Sequence, residues 1–105
     1  MSFRGGMNEL MRQAARLQRK VEAAKKEAES KEVVVSSAGD RVKVTATYGG
    51  RVQRIEIDPA FVQSEGLELA LDAACAAVNS ALEQAEKAME AEVDKVTGGV
   101  KIPGL

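Results

Sequence analysis

Arg12, Arg16 and Arg19 recur at spacings of four and three, with Lys20 beside the last and Lys26 seven residues after Arg19. On a helix those spacings gather side chains onto one face, so the five form a cationic band. Clustered guanidinium and ammonium groups suit polyanions, because contact with phosphates releases condensed counterions. The same pattern also describes an ordinary solvated helix face, and one helix alone does not separate the two readings. Other chemistry is poorly supplied. The chain has no His, which removes the commonest general base near neutral pH and the commonest metal ligand. No catalytic residue, metal site or cofactor is expected. Cys75, inside Ala73-Ala74-Cys75-Ala76-Ala77, reads as a small buried hydrophobe at mid-helix, since a reactive thiolate needs an electropositive, accessible setting. Glu56 and Asp58 are not a catalytic pair: strand alternation puts Glu56 on a polar face, and Asp58 caps the helix start at Pro59. Gly5-Gly6, Gly49-Gly50 and Gly98-Gly99 match no phosphate-binding loop. No aromatic residue interleaves the basic ones, which argues against stacking on single strands.

The band needs a helix to carry it. Met7, Leu10, Ala14, Leu17, Val21, Ala24 and Ala28 recur at spacings of three and four, which predicts a helix with a narrow apolar seam opposite the band. Asn8 is its expected N-cap, with Glu9 favourable against the helix dipole, and residues 1–6 are expected to form a loose arm. The stretch 41–59 reads as a β-hairpin turning at Gly49-Gly50. It pairs Tyr48 with Arg51, Thr45 with Arg54, Val44 with Ile55, Lys43 with Glu56 and Val42 with Ile57. A strand at about 32–37 folds back across Gly39-Asp40 and adds Val33 and Val35 to the apolar face of Val42, Val44 and Ala46. Phe61 and Val62 cap the core from a short helical loop. Ser64 then caps a second long helix whose seam is Leu67, Leu71, Ala74, Val78, Ala81, Ala85, Met89 and Val96. Gly98-Gly99 stops it, and residues 100–105 are read as a flexible tail.

These elements make one domain over residues 1–105: an α+β, α-β-β-β-α fold with a three-stranded antiparallel sheet and two long helices. A chain of 105 residues with two Phe, one Tyr and no Trp has little large apolar area to bury, and hydrophobic gain follows area. Helices of roughly 23 and 31 residues would be about 35 and 46 Å long, against about 20–24 Å for the strands. Both helices overhang the sheet, so a second copy is the natural cover. Leu10, Leu17, Val21, Val42, Val44, Ile55 and Ile57 are the expected core and dimer seam. Residues 1–26 carry seven Lys/Arg against two Glu, whereas residues 65–96 carry eight Asp/Glu against two Lys; the net charge of −1 hides that asymmetry. Arg4, Arg51 and Arg54 could extend the band, while the acidic second helix must face away from any polyanion. No apolar run approaches a membrane span, nothing resembles a signal peptide, and the single Cys fits a reducing cytoplasm.

Several segments together resemble the YbaB/EbfC family of bacterial nucleoid-associated proteins. Leu10-Met11-Arg12-Gln13-Ala14-Ala15-Arg16-Leu17-Gln18 is similar to that family's opening helix. Val42-Lys43-Val44-Thr45 and Arg54-Ile55-Glu56-Ile57-Asp58-Pro59 resemble its hairpin and strand-end signature. Ala76-Ala77-Val78-Asn79-Ser80-Ala81 resembles its last helix, and Ile102-Pro103-Gly104 its tail. The resemblance implies a tweezers-like homodimer that binds duplex DNA, alters its conformation and influences gene expression. It implies DNA contacts from basic helix residues, matched here by Arg12, Arg16, Arg19 and Lys20. The alternative is a protein-interaction dimer, accessory to recombination or replication machinery, with the acidic helix as its partner surface.

Overall fold

Proline in this chain falls only at positions 59 and 103, so no backbone break interrupts the first thirty residues. In the computed structural model, which describes residues 2–98, helix α1 spans Ser2–Ala28. It therefore starts well before Asn8 and includes residues 2–6 of the segment expected as a loose arm. Gly5 and Gly6 each cost about 1 kcal/mol relative to alanine in a helix, which weakens a helix without ending it. Asn8 is thus not a cap, and Glu9 lies too far along for the dipole role. The expected tail at 100–105 lies outside the described residues.

Three strands come next, β1 (Glu32–Ser37), β2 (Val42–Thr47) and β3 (Val52–Ile57), in one antiparallel sheet of order β1-β2-β3. Val42 pairs with Ile57, Lys43 with Glu56, Val44 with Ile55 and Thr45 with Arg54, as the alternation requires. Beyond Thr45 the register shifts, and Ala46 pairs with Val52. The expected Tyr48–Arg51 pair does not form. Instead Thr47 N–H donates to the Arg51 carbonyl at 2.8 Å, and Gly50 N–H donates to the Thr47 carbonyl at 2.9 Å. Only Gly50 of the two turn glycines has a positive φ, 91°. The loop is therefore Tyr48-Gly49-Gly50, and a bulge at Gln53 absorbs the odd residue. Gly49 serves close approach instead: its N–H donates to the Glu29 carbonyl at 3.1 Å. A Cβ there would sit 3.1 Å from that same oxygen.

Asp58 accepts a hydrogen bond from Ala60 N–H at 3.0 Å, with Pro59 opening the short helix α2 (Pro59–Glu65). Ser64 does not cap the second long helix. Its hydroxyl donates to the Phe61 carbonyl at 3.4 Å, and α3 (Leu67–Thr97) starts at Gly66 without a side-chain cap. Gly98, left-handed at φ 64°, ends α3 by donating its N–H to the Asp94 carbonyl.

The core lies between α3 and one sheet face. Val35, Val42, Val44, Ala46 and Phe61 pack against Ala70, Ala74, Ala77 and Ala81. The seam of α3 is thus its alanine stripe, and Leu67 and Leu71, expected within it, are 61% and 54% exposed. Cys75 is exposed, contrary to its reading as buried, because Ala74 and Ala77 take the sheet-facing positions. Alanine methyls let the helix axis come close, and α3 covers β2 and β1 while barely touching β3. Ile55 is consequently 48% exposed although it pairs with buried Val44. Past the sheet, the second half of α3 packs beside α1, burying Val21 and Ala28. The molecule measures 76 × 19 × 16 Å, longer than the roughly 46 Å of α3. The first half of α1, about 20 Å long, contributes to that length, with Met7, Leu10 and Met11 exposed.

Candidate nucleic-acid interface

The 27-residue helix α1 carries the whole cationic band. At about 100° per residue, Arg12, Arg16 and Arg19 fall within about 60° of one another, nearly opposite Val21 and Ala28. Val21 and Ala28 are buried at 0% and 2% exposure, so packing against α3 turns the arginines outward. Arg12, Arg16, Arg19, Lys20 and Lys26 are all exposed to solvent, and the fold brings them together along about 21 Å of helix.

The expected seam residues divide. Val21, Val42 and Val44 are buried, Leu17 and Ile57 are half-buried, and Leu10 and Ile55 are uncovered within the single chain. Of the candidate extensions, Arg51 and Arg54 do not join the band as one strip, and the Arg4 side chain lies outside the described ones. Arg51 follows the hairpin turn that docks on the end of α1. Arg54 stands on the sheet's outer face beside Glu56, at 4.0 Å. Arg41 belongs to the core's rim, with its guanidinium 5.6 Å over the Phe61 ring.

Glu9 is the site residue that sequence reasoning assigned to another task. Its two carboxylate oxygens lie 3.6 Å from Arg12 and 3.6 Å from Arg16. The signal was the spacing of three and seven, which places Glu9 beside both arginines once α1 is known to begin at Ser2. Arg19, Lys20 and Lys26 have no ion-pair partner among the described residues. At the far end of α1, Glu92 of α3 accepts from Lys31 at 3.0 Å and from Lys95 at 3.5 Å. The Lys31 hydrogen bond holds the Glu92 carboxyl below the usual carboxylate range, and the same contact raises Lys31. That pair fastens the strand entry to α3 and takes no part in the band.

The arrangement can bind anions along a line and supplies no acid, base and nucleophile in one place. Among the described residues no three His, Cys, Asp or Glu side chains come together as a metal site, and no helix is long and apolar enough to cross a membrane.

Comparison with known proteins identifies the family. The model of the YbaB/EbfC DNA-binding family matches residues 4–100. A nucleoid-associated protein of Acetivibrio thermocellus is 39% identical over 104 residues, 98% of this chain and 92% of the relative. One from Moorella thermoacetica is 38% identical, covering 96% of this chain and 97% of the relative. A third, from Clostridium acetobutylicum, is 37% identical over 96% of this chain and 90% of its own length. The chain belongs to the YbaB/EbfC DNA-binding family.

Proposed function

We propose that this protein binds duplex DNA as a homodimer in the nucleoid of the cytoplasm, gripping phosphates with the α1 band and altering DNA conformation and gene expression. The observation that carries the reading is the outward, solvated placement of Arg12, Arg16, Arg19 and Lys20, with Lys26 at the band's end, on a chain of this family. Phosphate contacts position a protein without reading bases, so sequence preference is weak.

The dimer is supported by apolar surface that one chain leaves open. Val52, Ile55, Leu67 and Leu71 are 38%, 48%, 61% and 54% exposed, where α3 fails to cover β3. Exposed apolar area of this kind marks an interaction surface, and a second copy supplies a matching one. Pairing there would leave both α1 bands in solvent.

A salt titration on a labelled duplex tests both halves. With Arg12, Arg16 and Arg19 from two chains, about six phosphates are neutralised, and log affinity falls against log salt with a slope near −5. Replacing all three by Ala abolishes binding while leaving the melting transition in place. Light scattering on wild type reads twice the 11.2 kDa chain mass, and Ile55→Asp lowers it. Undiminished binding by the triple variant would remove the band from the function. Absence of binding at low salt would favour the accessory role beside recombination or replication proteins.

A further inference from the structure

The outer face of α3 is as one-sided as that of α1, with the opposite sign. Glu83, Glu86, Glu90 and Asp94 lie along it, with Glu83, Glu86 and Glu90 exposed. At about 100° per residue the four fall within about 80° of one another, on the far side of the helix from buried Ala81 and Ala85. They have no ion-pair partner among the described residues, in contrast to Glu92. Lys87 is the one cation between positions 83 and 94. The carboxylate stripe runs about 17 Å and the α1 band about 21 Å. The two helices pack side by side, so one two-helix rod carries cations along one flank and carboxylates along another. The band already accepts carboxylates: Glu9 holds Arg12 and Arg16 at 3.6 Å each, leaving Arg19, Lys20 and Lys26 free among the described residues.

We infer that the α1 band has a second occupant, the acidic outer face of α3 on another copy of this chain, so that self-association and DNA compete for the same arginines. The inference rests on reading the band as an anion-binding surface. Similar length, opposite sign and the absence of ion-pair partners for the α3 stripe and for Arg19, Lys20 and Lys26 among the described residues favour a second copy. The contact is heterologous: joining two copies leaves a free acidic face at one end and a free basic face at the other. Such contacts do not close and build open assemblies. Because both faces are solvated, the association weakens steeply with salt, and a duplex, with its denser charge, displaces the carboxylates.

Sedimentation velocity on the full chain tests this across a concentration series at about 50 and 200 mM salt, with and without a short duplex. At the lower salt the weight-average mass rises with concentration. It returns to its high-salt value when salt or excess duplex is added. A variant carrying Glu83→Gln, Glu86→Gln, Glu90→Gln and Asp94→Asn does not assemble, nor does one carrying Arg12→Ala, Arg16→Ala and Arg19→Ala. Mixed in equal amounts, the two regain assembly, since one supplies cations and the other carboxylates. If either multiple variant loses its cooperative melt, the pairs Glu86→Gln/Glu90→Gln and Arg16→Gln/Arg19→Gln replace it, with a clear loss in association expected. Wild-type mass independent of concentration at low salt overturns the inference, as does assembly that survives both substitutions or a mixture that stays unassembled. Failure of the DNA reading is seen separately: wild type that assembles yet ignores the duplex keeps this contact and removes the competition.

Discussion

Changing Glu9 to Gln tests the electrostatic logic of the α1 band most directly. In the free protein its carboxylate sits 3.6 Å from both Arg12 and Arg16, so a phosphate approaching those guanidinia must displace it or tolerate it. The side chains involved are 51–71% exposed, which places each contact near the exposed-pair range of about 0.3–0.5 kcal/mol. Two contacts per chain give roughly 0.6–1 kcal/mol, and a dimer using both bands about 1.2–2 kcal/mol, or roughly an eight- to thirty-fold gain in affinity. The same arginines meet the same phosphates, so the salt slope stays near −5 while the whole line moves up. Fluorescence anisotropy on a labelled duplex at low and moderate salt reads both quantities, and circular dichroism checks that α1 is retained. Affinity within about twofold of wild type at low salt would refute the reasoning, because the phosphates would then not be competing with Glu9.

Further outcomes concern the backbone and the one buttressing ion pair. Gly49→Val should lower the melting temperature, because its Cβ would meet the Glu29 carbonyl oxygen at 3.1 Å and lift the hairpin from the end of α1; a wild-type melt would mean the turn is not held there. Ala38→Gly should stabilise by about 0.5–1 kcal/mol, since Ala38 stands at φ 51° and relief of left-handed strain exceeds the added chain entropy; denaturant midpoints measure it. Glu92 is held below the usual carboxylate range, so its contribution is present above the unfolded value and lost as pH falls through the folded one. Lys31 is raised, so its contribution is present below its unfolded value and lost as pH rises through the folded one. The difference in melting temperature between wild type and Lys31→Met should therefore be constant from above the carboxylate range to below the lysine range and shrink at both extremes.

Much of this fold was legible in the chain, and the exceptions share a cause. Alternation of Val42 and Val44 against Ile55 and Ile57 leaves one workable register, because a slip of one residue would put the apolar set into water. The turn was not readable in the same way. Two adjacent glycines permit both a two-residue and a three-residue loop, and the choice falls to the docking of Gly49 on Glu29. In α3, apolar residues occupy so many positions that several stripes fit a helical period. How near the helix must lie to the sheet decides among them, and it chose Ala70, Ala74, Ala77 and Ala81 over Leu67 and Leu71. Cys75 was misplaced by the same rotation. The cationic band needed only local spacing, and its five side chains stand exposed on α1. Its partial neutralisation by Glu9 was hidden by a helix start set too late.

The alanine stripe has a mechanical consequence. Where α3 meets the sheet, the gap is set by methyl groups: Ala70, Ala77 and Ala81 are 0–1% exposed and Ala74 6%. The helix then continues as the backing of the α1 rod, so the sheet contact works as the short arm of a lever with its fulcrum near Ala81. From Ala70 to Ala81 is about 17 Å, and from Ala81 to Thr97 about 24 Å. A substitution that wedges the start of α3 outward by about 1 Å swings its far end by about 1.5 Å, carrying α1 with it. The aim of the arginines is thus calibrated some distance from any charge, by the smallest side chains in the molecule.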